Sequence, residues 1–418
     1  MSNIKQSKAH KYLAILALSL AGGSIYLLPY LKYIFYDQMM SVMEITNTQM
    51  GSMVSLYSVG CMLLYIPGGI LADKLSTKKS LILSLVATAI LTVLYGITLN
   101  YTLSLIIWFL LALSTAFIFW SALMKVVGQI GTAEEQGRMY GLYYAGNGLT
   151  QAICNSIALG VYSKFGDPAT GLKMAVFVMA IANIVAAAMV YFFVTDSKKE
   201  ETQAASEDKF DFSKVKDVLK NPITWLLSLA ILCSYSIFTT STYFTPYLTE
   251  VVGISEQMSS TIAIIRSNLF LVFCAPLGGY IVDKLRSTTK WFMIGNALTA
   301  LFFFLIIIMA SSGQMVLITL TLIPSALGYM VYGVAFSMVG ECKFPVSVTA
   351  TVIGIASIIG YLPDFYMHNI CGMILDNVGA SGYNYIFAML GGICLLGILL
   401  PFMIRKRVKK QEKLDEVK

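Results

Sequence analysis

Stretches of at least 20 residues almost without charge recur along this chain, and they leave it few places to fold except inside a lipid bilayer. Marking Asp, Glu, Lys and Arg leaves apolar segments near 12–36, 48–72, 80–99, 101–124, 139–163, 174–195, 222–249, 257–282, 291–310, 315–340, 346–374 and 383–404. Each can cross ~30 Å of hydrocarbon as a helix rising about 1.5 Å per residue. Two boundaries carry no charge; turns are expected near Thr98, Leu99 and Asn100, and near Ser311, Ser312 and Gly313. Only 12% of the 418 residues are charged, about half the share usual in a soluble domain. Disordered, collagen-like and ordinary cytosolic chains are excluded. The seven cysteines stand singly in apolar runs without a CxxC pair and read as small hydrophobes. The first apolar stretch lacks a convincing small-residue cleavage site, so it is expected to stay as an anchor.

Lysine and arginine orient the spans. For twelve crossings that start inside, 24 of the 29 basic residues fall on one side, and only Lys164 and Lys173 on the other. This bias predicts both termini and the polar stretch 195–221 in the cytoplasm. It also accounts for most of the net charge of +7, which leaves no argument for a nucleic-acid partner. The polar stretch divides the spans six and six. The expected organisation is a bundle over 1–194, a linker over 195–221, a bundle over 222–404 and a tail over 405–418. The halves echo each other: Tyr26 to Leu31 reads YLLPYL against YFTPYL from Tyr243 to Leu248, and GGILADKLS from Gly68 precedes GGYIVDKLR from Gly278. Two matches in the same order argue for a duplicated six-helix unit, a common plan of secondary transporters.

At Gly69, Leu71, Ala72, Asp73, Lys74 and Lys78 the chain resembles the major facilitator superfamily, whose signature between helices 2 and 3 reads roughly G-x-L-A-D-[RK]-x-G-[RK]-[RK]. Ser76 replaces the usual second glycine and Thr77 a basic residue. A degenerate copy stands at Gly279, Asp283 and Lys284. The resemblance covers nearly the whole chain. It implies an all-α membrane protein of twelve transmembrane helices in two pseudo-symmetric bundles, in the bacterial inner membrane, expected to be monomeric. It further implies gating roles for Gly69, Asp73, Lys74, Lys78 and Asp283, with Asp73 capping a neighbouring helix's amino end, where a carboxylate meets the positive dipole. A solvated turn carboxylate is the alternative. The stretch GTAEEQGRMYG from Gly131 resembles the family's turn between helices 4 and 5, where Glu135 and Arg138 stand at pairing distance along a helix.

Charges within spans are costly and usually line a pathway. Here they are Lys32, Lys125, Arg266 and Asp364. Arg266 precedes Asp283 by 17 residues and Asp364 follows Ser347 by 17, which puts both ~25 Å from the cytoplasmic end of their helices. A guanidinium offers a permanently charged fork that suits a carboxylate, phosphate or sulfonate. Arg266 therefore either binds an anionic substrate or neutralises Asp364 as a structural pair, and the sequence leaves both readings open. Asp364 follows Pro363, which removes a backbone hydrogen bond and is expected to kink helix 11. Asp364 is the candidate proton-coupling carboxylate, with His368 at i+4 either relaying a proton or serving structurally. Lys32 either reaches the outer half of a cavity or snorkels to the external interface. Lys125 reads as an inner anchor.

Tyr26, Tyr30, Tyr243, Tyr247, Trp120, Asn147 and Gln151 complete a candidate lining, of which Tyr30, Tyr247, Trp120 and Asn147 join Arg266 and Lys32 as substrate ligands. Gly141, Gly146 and Gly148 are expected to let helix 5 pack closely. No Walker-type loop, metal-spaced His/Cys cluster or Ser/His/Asp set occurs, so neither an enzyme nor a cofactor is expected. The leading expectation is a secondary carrier of a small organic anion (carboxylate, sugar acid or organophosphate), coupled to protons or driven by exchange. It loosely resembles the sugar-phosphate and organic-anion branch. A drug/proton antiporter stands second, since the arginine which that branch carries in helix 4 is missing. A nontransporting sensor lacks the soluble signalling domain it would need, and a membrane-embedded transferase lacks clustered polar groups at one interface.

Overall fold

The computed structural model describes residues 8–72, 75–117, 119–130, 135–195, 216 and 218–415, and all regular structure among them is helical. In chain order the helices used below are α1 (Lys8–Ile25), α2 (Tyr36–Met43), α3 (Asn47–Ala72), α4 (Thr77–Thr98), α5 (Tyr101–Ala112), α6 (Phe119–Gln129), α7 (Gln136–Tyr162) and α8 (Pro168–Phe193). They continue with α9 (Pro222–Thr240), α10 (Phe244–Glu250), α11 (Glu256–Ile264), α12 (Phe270–Leu285), α13 (Thr288–Ile308), α14 (Gln314–Tyr332), α15 (Met338–Glu341), α16 (Val346–Gly360), α17 (Pro363–Val378) and α18 (Gly382–Asp415). Eight helical stretches among the described residues are long and apolar enough to cross a membrane.

Sequence chemistry sets the helix ends. The two uncharged boundaries fall where turns are expected: Leu99 adopts a left-handed conformation and Asn100 caps α5 by accepting from the Leu103 amide at 3.2 Å. Ile308 ends α13, and α14 begins after Gly313. At the amino end of α8, Asp167 accepts from the amide and hydroxyl of Thr170 at 2.9 and 2.5 Å, and these bonds hold its carboxyl below the usual range. Ser76, standing where a glycine is usual, caps α4 through the Lys79 amide at 3.3 Å; Ser287 does the same for α13 through Lys290 at 3.3 Å.

Proline acts at related places in the two echoing motifs. The residue four before Pro29 is Ile25, where α1 stops; the chain then turns through a 3₁₀ segment, Leu31–Tyr33. The residue four before Pro246 is Thr242, inside the 3₁₀ segment Ser241–Tyr243 that separates α9 from α10. In both cases the pyrrolidine ring would strike that carbonyl and cannot return a hydrogen bond.

Contacts divide the chain into two compact units, Met1–Glu201 with Ser255–Val272, and Thr202–Ile254 with Phe273–Lys418. In the first, α1 packs on α7 and α8, and α4 packs on α8. Leu18, Ala21, Leu85, Phe119, Leu123 and Val127 share one apolar core there. Gly22 and Gly146 make the α1–α7 approach possible, since a Cβ on either would fall 2.4 Å from Tyr143 Oη or 2.5 Å from Ser19 Oγ. A Cβ at Gly148 would meet Val272 at 2.6 Å, whereas Gly141 has nothing within 4 Å. In the second unit α13 lies along α18 and α14, and α9 lies against α16 and α18. Ile231, Phe292, Val331, Met338 and Ala356 are among its core residues.

Candidate functional site

A polar stripe runs down α7 in the first unit. Tyr143, Asn147, Gln151 and Asn155 follow one another at four-residue intervals, so they occupy one helix face. Asn147 Nδ2 donates to the Tyr143 hydroxyl at 3.2 Å, and Gln151 Nε2 donates to Asn147 Oδ1 at 2.7 Å. Asn268 closes the chain: its Nδ2 donates to Gln151 Oε1 at 3.1 Å, while its Oδ1 accepts from Asn155 Nδ2 at 3.3 Å. These bonds, with the Ser260 hydroxyl donating to the Ile34 carbonyl at 2.7 Å, tie Ser255–Val272 to the first unit. Asn268 and Arg266 sit on a widened, π-helical turn, Ile265–Leu269, between α11 and α12. Such turns carry an extra residue and recur at functional sites. Arg266 is fully buried there, at 0% exposure.

Elsewhere in this unit, Lys32 is 1% exposed on the Leu31–Tyr33 turn, so its amine does not reach solvent by snorkelling here. Tyr30 contacts the rings of Tyr26, Tyr33 and Tyr57 at 6.5, 5.4 and 5.9 Å. The Tyr57 hydroxyl pairs with Thr115 Oγ1 at 2.8 Å, beside a second π-helical turn, Leu113–Phe117. Trp120 is half-buried against the apolar core, next to Phe119, which Tyr26 meets edge-on.

The second unit buries an ionisable cluster between α9 and α17. Pro363 separates α16 from α17 through Tyr361 and Leu362, so the expected kink is a break. It places Asp364 in the first turn of α17, where the positive end of the helix dipole favours a carboxylate. Asp364 is 6% exposed and His368, one turn on, 0%. Tyr235 donates to Asp364 Oδ2 at 2.6 Å and Thr239 to Oδ1 at 2.5 Å. The Thr239 hydroxyl also lies 3.0 Å from His368 Nε2, which is 3.8 Å from Asp364 Oδ1. Tyr243 donates to the His368 carbonyl at 2.7 Å. Tyr247 is instead packed with Tyr383 and Phe387, rings 5.4 and 5.0 Å away, and its hydroxyl has no hydrogen-bond partner among the described residues.

The residues expected to gate are placed as follows. Asp73 and Lys74 lie outside the described residues, and Gly69 lies within α3. Lys78 stands over the Tyr191 ring at 5.0 Å. Glu135 and Arg138 both turn to α1: Glu135 Oε2 takes Lys11 Nζ at 2.8 Å, and the Arg138 guanidinium stands 5.7 Å from the Tyr12 ring centre. Asp283 is exposed on the last turn of α12. Glu341, not singled out from sequence, caps α13, taking the Thr288 and Thr289 amides and the Thr289 hydroxyl, the last at 2.6 Å. Tyr143, Asn155, Asn268, Tyr235 and Thr239 were also missed. Apart from Asn268, their signal was present as polar side chains four residues apart: Tyr143 to Asn155, and Tyr235, Thr239, Tyr243.

Helices apolar enough to span a bilayer, with an arginine and an aspartate buried within them, describe a membrane protein with charged groups inside its spans. The chain belongs to the Major Facilitator Superfamily, whose model matches residues 13–366, and is a transporter of that family. Among its relatives is the inner membrane protein YqcE of Escherichia coli K12, 29% identical over 96% of this chain and 95% of that protein. The inner membrane protein YihN of the same organism is 28% identical over 95% and 96%. The crystal structure of a bacterial homologue of the human lysosomal transporter Spinster, inward-facing and unoccupied, superposes with a TM-score of 0.75 at 15% identity, covering 97% of this chain and 99% of that one. That likeness establishes the fold.

Proposed function

We propose that the protein moves a small organic anion (a carboxylate, sugar acid or organophosphate) across the cytoplasmic membrane by alternating access, with Arg266 as the group that receives the anion. The observation that carries this reading is the complete burial of a guanidinium on a π-helical turn beside a ladder of side-chain amides. A guanidinium is costly to bury, and its planar, permanently charged fork suits a carboxylate, phosphate or sulfonate. Lys32, equally buried, adds positive charge in the same unit, and Tyr30, Trp120, Asn147 and Tyr247 are carried in the proposal as further ligands.

Asp364 and His368 are assigned to proton coupling, because a carboxylate and an imidazole share one hydroxyl in a buried cluster. One proton carried with a monovalent anion makes the step electroneutral; exchange of one anion for another does the same. Twelve spans in two six-helix bundles, with both termini cytoplasmic, belong to this reading, supported by the motif repeat and by the basic residues gathered on one side. Gating is assigned to Gly69, Asp73, Lys74, Lys78, Glu135, Arg138 and Asp283.

The test is uptake into proteoliposomes of labelled carboxylates, sugar acids, sugar phosphates and neutral sugars, with cationic drugs as the contrasting class. Anions are expected to be taken up in preference to neutral and cationic compounds of similar size. Preference for neutral or cationic compounds would remove Arg266 as a ligand and return the antiporter reading.

A further inference from the structure

The Thr239 hydroxyl lies between the only two side chains of the second unit to which proton chemistry has been assigned, 2.5 Å from Asp364 Oδ1 and 3.0 Å from His368 Nε2. It has a single hydrogen, so it donates to one neighbour while accepting from the other. The direct gap between Nε2 and Oδ1, 3.8 Å, is too long for a hydrogen bond. We infer that Thr239 is a reversible proton bridge that makes Asp364 and His368 one shared store.

With Asp364 ionised, Thr239 O–H donates to Oδ1 and its oxygen accepts from Nε2–H, so neutral His368 carries its proton on Nε2. A proton arriving at Nδ1 makes the ring cationic. The Nε2–H bond then breaks as a new bond forms to the Thr239 oxygen, whose original hydrogen passes to Oδ1. Asp364 ends as a neutral acid donating to Thr239, Thr239 donates to Nε2, and His368 is left as the neutral Nδ1–H tautomer. One proton has entered and each atom keeps its valence.

The packing limits rival donors. Tyr235 and Tyr243 reach Asp364 and the His368 carbonyl from α9 and the turn after it, and Tyr361 borders Asp364. Cys233, Cys371 and Cys394 lie on α9, α17 and α18, helices that pack together. Phenols and thiols have reference pKa values near ~10 and ~8.5, so they are neutral between about pH 5 and 7. A threonine methyl and hydroxyl fix the bridge by packing; valine keeps the shape and removes the bridge.

The sequence holds two histidines, so ring-labelled ¹⁵N-histidine protein in lipid nanodiscs gives a readable spectrum, with His10→Ala assigning the second signal. The wild type is expected to show the neutral Nε2–H tautomer of His368 at alkaline pH and its replacement by the neutral Nδ1–H tautomer on acidification. Thr239→Val should lose that tautomer preference, and Thr239→Ser should restore it. The bridge is overturned if Thr239→Val keeps the wild-type tautomer and its pH response, if folded Thr239→Ser loses them, if wild-type His368 accepts at Nε2 at alkaline pH, or if it turns cationic on acidification without passing through the neutral Nδ1–H tautomer. Should valine prevent folding, Thr239→Ala takes its place with the same criteria. The proposal rests on Asp364 and His368 coupling transport to protons; that reading fails separately if wild-type uptake ignores a transmembrane pH gradient. In that event the spectrum still decides whether the bridge exists.

Discussion

Gly278 and Gly279 are adjacent in sequence, yet only one is forced to be glycine by its surroundings. A Cβ on Gly278 would lie 2.0 Å from the Met330 carbonyl oxygen of α14, a backbone atom that cannot step aside, while Gly279 has nothing within 4 Å. Gly278→Ala is therefore expected to destabilise the protein by about 1–3 kcal/mol through overpacking, whereas Gly279→Ala is expected to be neutral or slightly stabilising in its helix. Thermal unfolding of the purified variants in detergent measures this. Equal melting temperatures for the two would show that the α12–α14 approach is not close-packed. The family signature marks Gly279 by its position, so the packing glycine was legible only as half of a repeated GG pair. The site residues divide in the same way. Arg266, Asp364 and His368 stood out because charge and imidazole are rare in apolar spans. Thr239 did not, because a threonine that satisfies its own helix backbone is common in such spans; only the facing helix shows that this one bridges two ionisable groups.

At the scale of elements, proline places the chemistry. Pro363 supplies no N–H where α16 gives way to α17, and the break presents Asp364 to Tyr235 and Thr239 from a helix's first turn. Pro363→Ala is expected to join the two helices and slow amide exchange at Tyr361 to Phe365, read by hydrogen–deuterium exchange. Unchanged exchange there would mean that packing, not the missing donor, holds the break. A proline in a long apolar run announces itself in sequence, but whether it bends or ends a helix depends on the neighbours. Pro276, Pro324 and Pro401 remain inside helices. The π-helical turns at Leu113–Phe117 and Ile265–Leu269 were not legible at all, since their apolar patterns continue those of the flanking helices. The turn that carries Arg266 is tied to α7 by Asn268, a contact from one segment to another distant in sequence.

For the whole molecule, length and hydropathy were sufficient to read a helical membrane protein, and a short motif with its degenerate copy was sufficient to read the superfamily, whose model matches residues 13–366. The first signal arises from bulk requirements, the bilayer's thickness and the satisfaction of backbone hydrogen bonds within it. Substrate choice depends instead on a few side chains at one depth, and the fold alone does not specify it. The proposed anion specificity therefore turns on Arg266. The most direct measurement is the initial rate of uptake of the preferred anion by proteoliposomes containing wild-type protein or Arg266→Gln, at equal amounts of folded carrier. Loss of a buried charge partner worth about 2–5 kcal/mol corresponds to a fall of ~30-fold or more. That fall is the predicted result; an Arg266→Gln carrier that takes up the anion at the wild-type rate would contradict it.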